Sequence, residues 1–308
     1  MHQLPPDRSS LLTEQRNPAS MNLHELSARE IVDLIQEEDR EVFRAMKRSR
    51  HLVARLIQAA EPGFLAGGRL VYVGAGTSGR LGVLDASEAP PTFCVEPGRI
   101  IGLIAGGDSA LRKSSEGKED DPRGAWEELA GLGLDQRDTV IAIAAGGTTP
   151  YARGALEFCK TQLAEGGRPV TGMIVCANAA PSEHADHFIV LKTGPEVLTG
   201  STRMKAGTAT KMTLNTISTT LMVRSGRVYQ NLMVDVKATN DKLRDRAARI
   251  IATLTGLDRP ACFELLEASG GVVKTAVVMH ARGVDRAAAE SLLRAADGRL
   301  GKVLDGPR

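Results

Sequence analysis

Two stretches of similar composition decide the fold: Arg69-Leu-Val-Tyr-Val-Gly-Ala-Gly-Thr-Ser-Gly-Arg80 and Asp138-Thr-Val-Ile-Ala-Ile-Ala-Ala-Gly-Gly-Thr-Thr-Pro-Tyr151. Each begins with a short apolar run, continues into a loop of small and hydroxyl residues, and ends where a helix can start. The apolar runs are typical of strands buried in a parallel sheet. Loop amides and a helix N-terminus converge at the end of each strand, which favours an anionic group. Two such turns in one domain predict a site for a phosphorylated metabolite.

The chain around these turns alternates apolar strands with helices over residues 51–226. We expect strands at residues 69–73, 92–95, 101–105, 139–144, 170–176 and 188–191, and helices at 51–60, 122–132, 151–165 and 204–224. This alternation is typical of a mostly parallel sheet with helices on both faces. The expected fold is therefore a three-layer α/β domain.

Helical segments extend this domain at both ends. Residues 1–50 are predicted to form an extended polar arm followed by a helix, with Ser27 and Glu30 at the spacing of a capping box. Residues 227–308 have only helical periodicity and are predicted to form a C-terminal helical subdomain. Its helices are expected to break at Gly256, Gly270 and Gly283.

The composition excludes several classes of function. The net charge is +2 and aromatic residues make up 3% of the chain, so we expect no nucleic-acid partner. No apolar run reaches the ~20 residues of a membrane helix, and no signal-peptide pattern opens the chain. The four cysteines (Cys94, Cys159, Cys176 and Cys262) include no CxxC pair and are expected to be small buried thiols in a reducing cytoplasm. No metal site and no cofactor are expected.

The first turn also fits a dinucleotide-binding pattern. Gly74-Ala-Gly-Thr-Ser-Gly79 matches G-x-G-x-x-G, and Glu96 lies near the usual offset of the acidic residue. Against this alternative, Thr77 and Ser78 supply adjacent hydroxyls that suit a terminal phosphate. A dinucleotide fold also does not require the second hydroxyl-rich loop. A purely structural turn that binds nothing is a further alternative.

Longer stretches carry a resemblance to a known family. They are Leu12-Thr-Glu-Gln-Arg-Asn-Pro18, Gly74-Ala-Gly-Thr-Ser-Gly-Arg80, Leu84-Asp-Ala-Ser-Glu-Ala-Pro-Pro91, Gly102-Leu-Ile-Ala-Gly-Gly107, Glu116-Gly-Lys-Glu-Asp120, Gly194-Pro-Glu-Val-Leu-Thr-Gly-Ser-Thr-Arg-Met-Lys-Ala-Gly-Thr-Ala-Thr-Lys211 and Asn231-Leu-Met-Val-Asp-Val-Lys-Ala-Thr-Asn240. The paired loops resemble those of SIS (sugar isomerase) domains, which bind phosphosugars. The chain as a whole resembles the N-acetylmuramic acid 6-phosphate etherases. The related glucokinase regulatory protein is about twice as long, so the length favours the etherases.

The resemblance implies a reaction and an assembly. The substrate would be N-acetylmuramic acid 6-phosphate, cleaved with water to N-acetylglucosamine 6-phosphate and D-lactate. The implied assembly is a homodimer whose site lies near the interface and is completed by the partner chain. An aldose–ketose phosphosugar isomerase and a phosphosugar-sensing regulatory protein remain the alternatives. Lactate release would distinguish the etherase from both.

Two glutamates match the family's catalytic positions. Glu88 lies in Asp-Ala-Ser-Glu-Ala-Pro, and Glu119 lies in Glu-Gly-Lys-Glu-Asp. Opening of the sugar ring makes the C2 proton acidic, and its removal expels lactate from C3, after which water adds back. This route requires a base near C2 and an acid near the ether oxygen. We assign Glu88 as the acid and Glu119 as the base, with the reverse assignment open and a solvated surface charge as the alternative for each.

The residues expected to bind substrate form three groups. They are Gly76, Thr77 and Ser78 in the first loop, Gly146, Gly147, Thr148 and Thr149 in the second, and Glu196, Ser201, Arg203 and Lys205 in the long shared motif. The family usually has Ala-Ser-Gly-Arg-Thr-Pro in the second loop, so Gly146 and Thr148 replace a hydroxyl and a guanidinium. For the third group a structural alternative is open: capping of the next helix by Ser201 or Thr202, with pairing of Arg203 and Glu196.

Overall fold

The computed structural model describes residues 7–113, 115–236 and 240–306, without the side chain of Glu116. The helices are α1 (Ala28–Glu38), α2 (Arg40–Leu65), α3 (Gly76–Phe93), α4 (Trp126–Gly131), α5 (Pro150–Thr161), α6 (Lys205–Arg224), α7 (Asp241–Thr255), α8 (Arg259–Ala268), α9 (Val273–Arg282), α10 (Arg286–Ala295) and α11 (Leu300–Leu304). The strands are β1 (Leu70–Gly74), β2 (Ile100–Ile104), β3 (Thr139–Ile143), β4 (Val170–Val175), β5 (His187–Val190), β6 (Val228–Tyr229) and β7 (Leu232–Met233). The stretch Lys237–Thr239 of the last resemblance motif lies outside the described residues.

Strands β1 to β5 form one sheet in the order β2-β1-β3-β4-β5, and every pair is parallel. Gly74, the last residue of β1, pairs with Ile104 on one side and Ile143 on the other. All five strands therefore end at the same edge of the sheet, called the carboxyl edge below. In a doubly wound sheet of this order, successive strands are added on one side of β1 and then on the other. Ligands bind at this switch point, between β1 and β3.

Alternate strand residues face two different helix layers. Val71, Val140 and Met173 pack against α5 in a buried apolar cluster that also contains Leu129 of α4. The opposite face carries Tyr72, where a Cβ on Gly82 of α3 would lie 2.8 Å from the tyrosine Cβ. Leu56 of α2 covers Gly172 of β4 on that same face. The predicted three-layer α/β architecture with a parallel sheet is confirmed.

An ion pair between the partly buried Arg69 and the buried Asp138 joins the starts of β1 and β3, at the edge opposite the two glycine-rich loops. The Asp138 carboxylate accepts hydrogen bonds from the Arg69 amide (2.7 Å), from Arg69 Nε (3.0 Å) and from Arg69 Nη2 (2.7 Å). The amide of Asp135 donates a fourth hydrogen bond at 3.0 Å. Burial, the largest single influence, raises the pKa of Asp138, but these donors together lower it below its ordinary value.

The chain divides into two compact units. The first comprises the residues up to Ser87 and Gly98–Ser218, and the second comprises Glu88–Pro97 and the residues from Thr219 onward. The boundary thus falls inside α3 and α6. The boundaries expected at residues 50 and 226 stay predictions, although residue 50 lies within α2.

The second unit has its own helical core. Val234, Ile251, Cys262, Val277 and Leu293 are among the buried residues of a single apolar cluster. The expected breaks at three glycines are confirmed, because Gly256, Gly270 and Gly283 have φ angles of 76°, 72° and 63°. The expectation of purely helical structure after residue 227 is wrong, since β6 and β7 form a short antiparallel pair.

Other expectations meet different outcomes. The capping box of α1 is confirmed: Ser27 Oγ accepts from the Glu30 amide, and the Glu30 carboxylate accepts from the Ser27 amide. The strand expected at 92–95 is absent, because α3 continues through Pro90 and Pro91 to Phe93. Within the described ranges, no helix combines the length and apolarity needed to span a bilayer.

Candidate active site

The first loop turns sharply from β1 into α3, and two glycines make the turn possible. A Cβ on Gly79 would lie 2.6 Å from the Gly74 carbonyl oxygen, and one on Gly74 would lie 2.9 Å from the Gly79 amide. The first intrahelical bond of α3 runs from the Gly79 amide to the Ala75 carbonyl (3.2 Å). The amides of Thr77 and Ser78 precede it and are open donors at a helix N-terminus.

The second loop turns from β3 into α5 in a similar way. Gly147 has a φ of 74°, and a Cβ there would lie 2.4 Å from the Ala179 Cβ. Arg153 Nη1 donates to the Gly147 carbonyl at 3.1 Å, which fixes the loop to α5. Thr149 occupies the N-cap position, yet its side chain does not cap the helix.

The two loops are neighbours at the carboxyl edge, because β1 and β3 are adjacent and Gly74 pairs with Ile143. The hydroxyls of the predicted ligands Thr77, Ser78, Thr148 and Thr149 form no hydrogen bond with any described residue. In α5 the first-turn amides are not free, because Pro150 has none and the Tyr151 amide donates to the Glu119 carbonyl. The open hydroxyls of the two adjacent loops, together with the open N-terminus of α3, are a suitable arrangement for a phosphate dianion.

The third predicted group divides into structural and open residues. The fully buried Glu196 carboxylate accepts from the amides of Lys205 (3.0 Å) and Ala206 (2.9 Å), so Glu196 caps α6. Burial raises the pKa of Glu196 overall, while the two amide hydrogen bonds oppose that shift. The Lys205 ammonium pairs with Glu38. These two side chains therefore build the helix end.

Arg203 and Ser201 remain open at the same helix end. Arg203 is exposed and forms no ion pair within the part of the chain that the structure describes. The structural alternative, in which Ser201 or Thr202 caps the helix and Arg203 pairs with Glu196, is therefore wrong, because Glu196 itself caps α6. A Cβ on Gly207 would lie 3.5 Å from Thr77 Cγ2, so the first turn of α6 lies beside the first loop.

Sequence reasoning missed the role of the N-terminal segment. This segment, residues 10–17, crosses the carboxyl edge. The Leu12 amide donates to Asn178 Oδ1 (3.0 Å), and Asn178 Nδ2 donates to the Ser10 carbonyl (3.4 Å). Asn17 Nδ2 donates to the Pro195 carbonyl at 3.2 Å. A sequence signal for this role exists, because the stretch from Leu12 to Pro18 is one of the motifs shared with the family. Its polar composition was instead interpreted as an extended arm.

Glu119 lies in a segment that is docked on α5. Its carbonyl oxygen accepts from the Tyr151 amide at 3.0 Å. Trp126 Nε1 donates to the Gly154 carbonyl at 2.9 Å, and a Cβ on Gly154 would lie only 1.7 Å from the Pro122 carbonyl oxygen. Since Tyr151 is the second residue of α5, these contacts place Glu119 beside the second loop.

Glu88 is an exposed residue in the last two turns of α3 and belongs to the second unit. Its carboxylate has no hydrogen bond or ion pair within the described ranges. Pro90 and Pro91 lack amide hydrogens, so the carbonyls of Ala86 and Ser87 have no helical donor. Among the described residues, no group of three potential metal ligands is close enough to hold an ion.

Comparison with known proteins gives consistent results. The family described as the glucokinase regulatory protein N-terminal SIS domain matches residues 51–160. An N-acetylmuramic acid 6-phosphate etherase from Gloeobacter violaceus is 50% identical over 300 residues, which cover 97% of this chain and 97% of that protein. The N-acetylmuramic acid 6-phosphate etherase 1 of Bacillus licheniformis is 46% identical over 295 residues, or 96% of each chain.

Among solved structures, a phosphoheptose isomerase from Neisseria gonorrhoeae matches with a TM-score of 0.44 and 12% identity. The match covers 63% of this chain and 97% of that one. At that score the likeness supports no inference about this chain.

Proposed function

The chain belongs to the N-acetylmuramic acid 6-phosphate etherases, and we propose that it cleaves the D-lactyl ether of N-acetylmuramic acid 6-phosphate with water. The products are N-acetylglucosamine 6-phosphate and D-lactate. One structural observation supports this proposal in addition to the sequence identity: two hydroxyl-rich loops are adjacent at the ends of β1 and β3, and the first of them leads into the open N-terminus of α3. That arrangement suits a single terminal phosphate.

The phosphate anchors the substrate in this proposal. The open amides and the hydroxyls of Thr77, Ser78, Thr148 and Thr149 bind its oxygens. The exposed Arg203, just before α6, pairs with either the phosphate or the lactyl carboxylate of the substrate. Anchoring energy of this kind accelerates chemistry at a distant carbon by holding the reacting group in place.

The chemistry proceeds by elimination and rehydration. Ring opening gives a C1 aldehyde, so the base can remove the C2 proton while the C3–O bond breaks and the acid protonates the departing lactate oxygen. Water then adds to C3 and a proton returns to C2. We assign Glu119 as the base and Glu88 as the acid, with the reverse assignment as the alternative.

We further propose that Glu88 acts on substrate held by the partner subunit of a homodimer. Glu88 is exposed, and its carboxylate has no hydrogen bond or ion pair with any described residue. A carboxyl acts as an acid near neutral pH only where its surroundings disfavour ionisation, and a second subunit would supply such cover.

The site of action in this proposal is the cytoplasm. All four cysteines are free, and three of them are buried. Burial raises the pKa of Cys159 and of Cys176 to about 12, which keeps both as neutral thiols. Unpaired thiols suit a reducing compartment.

The first experiment measures D-lactate released from N-acetylmuramic acid 6-phosphate by the purified protein. In H₂¹⁸O, elimination places label on the C3 hydroxyl of the sugar product and leaves the lactate oxygen unlabelled. In D₂O, deuterium appears at C2. Labelled lactate together with an unlabelled sugar would exclude elimination, and isomerised sugar without lactate would indicate the isomerase alternative.

The second experiment tests the shared site by mixing two inactive variants, Glu88→Gln and Glu119→Gln. If each site combines residues of both chains, a mixed dimer contains one intact site and one doubly substituted site. Equal mixing with subunit exchange should therefore restore about a quarter of the wild-type activity. Each variant mixed with itself is the control. No restoration, despite exchange verified with a mass-tagged chain, would contradict the shared site.

A further inference from the structure

The N-terminal segment carries a buried hydroxyl that the fold itself does not use. Thr13 is fully buried, and its Oγ1 has no hydrogen-bond partner among the described residues. An unpaired buried hydroxyl destabilises a fold, because its hydrogen bonds to water are lost without replacement. The hydroxyls of Tyr151 and Thr193 are also buried and unpaired, so it is the surroundings of Thr13 that decide whether a ligand supplies its partner.

The surroundings of Thr13 indicate which partner. The Cβ position of Gly146 lies 3.7 Å from Thr13 Oγ1 and 3.8 Å from Thr148 Oγ1. Leu11 Cδ1, also at 3.7 Å, is the remaining near neighbour of that point. Two hydroxyls thus border one small space over the second loop, and Gly146 itself is partly exposed.

Gly146 has no side chain, so the second loop itself offers no group to the Thr13 hydroxyl at this point. Gly146 leaves the space empty of side-chain atoms, and no contact closer than 3.7 Å blocks it. The N-terminal segment is held over the loop by the hydrogen bonds between Asn178 and residues 10 and 12. Thr13 is therefore fixed in position before any ligand arrives.

We propose that Thr13 is a phosphate-binding residue in this chain, donating its hydroxyl to an oxygen of the substrate phosphate over Gly146. The Thr148 hydroxyl, which borders the same space, would bind beside it. The inference rests on the proposed phosphosugar function and adds a residue from outside both loops to the phosphate site. The N-terminal segment is then part of the site and not only a cover.

The test compares Thr13→Val, which has nearly the same shape, with Thr13→Ser, which keeps the hydroxyl. Calorimetry measures binding of inorganic phosphate and of N-acetylglucosamine 6-phosphate to the full-length protein. Thr13→Val should weaken binding of both about 10- to 100-fold, the usual value of a hydrogen bond to a charged group. Thr13→Ser should retain near wild-type affinity. Because neither probe is turned over, the result is independent of lactate release.

Thr193 provides a matched control. It is also fully buried with an unpaired hydroxyl among the described residues, but it follows β5, two strands away from β3. Thr193→Val should leave phosphate affinity unchanged. Unchanged affinity in Thr13→Val, or equal losses in Thr13→Ser and Thr13→Val, would overturn the proposal.

Thermal stability gives a second readout that a packing role would not produce. Without ligand, Thr13→Val should raise Tm by about 2–4 °C, because it removes an unsatisfied polar group. In a Gly146→Ser background the new hydroxyl can pair with Thr13, so Thr13→Val should then lower Tm. A lower Tm for Thr13→Val in the wild-type background would show that the hydroxyl already has a protein partner, and would refute the inference.

Discussion

Substitution of Gly154 by alanine should impair catalysis by displacing Glu119 while phosphosugar binding persists. Gly154 lies on α5 where the chain after Glu119 crosses the helix. An added Cβ would lie 1.7 Å from the Pro122 carbonyl oxygen and 2.6 Å from its carbonyl carbon. A relaxed carbon–oxygen contact is about 3.3 Å, so Pro122 and α5 must separate by about 1.5 Å.

The magnitude follows from that displacement. Pro122 is three residues from Glu119, whose carbonyl is bonded to the Tyr151 amide at 3.0 Å, so the shift is transmitted to the proposed base. A misplacement of about 1 Å can reduce a rate by about 10²-fold. We therefore expect kcat to fall by at least about 10²-fold. Overpacking should also reduce the free energy of unfolding by about 1–3 kcal/mol.

The assay is steady-state lactate release combined with calorimetry of N-acetylglucosamine 6-phosphate binding. Gly154→Ala should lower kcat strongly while the affinity for the phosphosugar stays near the wild-type value. Gly131→Ala on α4 is the matched control, because a Cβ there meets no atom within 4 Å. Should Gly154→Ala fold and retain wild-type kcat, the docking of this segment would have no role in placing Glu119.

Three further predictions address the acid, the phosphate and the fold. Glu88→Gln should reduce kcat by about 10²–10⁴-fold, the usual contribution of a positioned acid or base, with phosphosugar affinity retained; near-normal turnover would refute its assignment. Unphosphorylated N-acetylmuramic acid should be a very poor substrate, since the open loop donors lose their anion, and comparable kcat/KM for both sugars would contradict the role of the loops. Asp138→Asn should reduce the free energy of unfolding by about 1.5–3 kcal/mol, because the donors around the buried carboxylate, among them the partly buried Arg69, lose a charged acceptor. Since the folded-state pKa of Asp138 is lowered, its stabilising effect is complete above the ordinary value of about 3.9 and disappears as pH falls through the lower folded-state value. Denaturant unfolding between pH 7 and pH 2 should show a smaller acid-dependent loss for the variant than for the wild type.

The layers and the loops were predictable because they depend on local patterns. Apolar runs such as 139–143, followed by glycine-rich turns, identify parallel strands and the edge at which they end. The capping box at Ser27 is likewise a local signal. The strand expected at 92–95 is wrong, because α3 continues through Pro90 and Pro91, although prolines inside a helix normally disrupt it.

The parts of the site that were missed depend on contacts that the local sequence pattern does not contain. Glu196 caps α6 through the amides nine and ten residues later, beyond the usual spacing of a capping residue. The same is true of Asn178, whose partners lie in the N-terminal segment. Thr13 lies in the shared motif from Leu12 to Pro18, but only the spatial arrangement reveals that its hydroxyl is unpaired and lies close to Gly146.

The crossing of the carboxyl edge by the N-terminal segment also has a consequence for biosynthesis. Leu12 and its partner Asn178 are separated by 166 residues, so a ribosome adding about 5–20 residues per second exposes the first roughly 10–30 s before the second. The segment around Leu12 cannot form this contact until β4 and Asn178 have been made. Chaperones that act on nascent chains therefore have that interval in which to bind it.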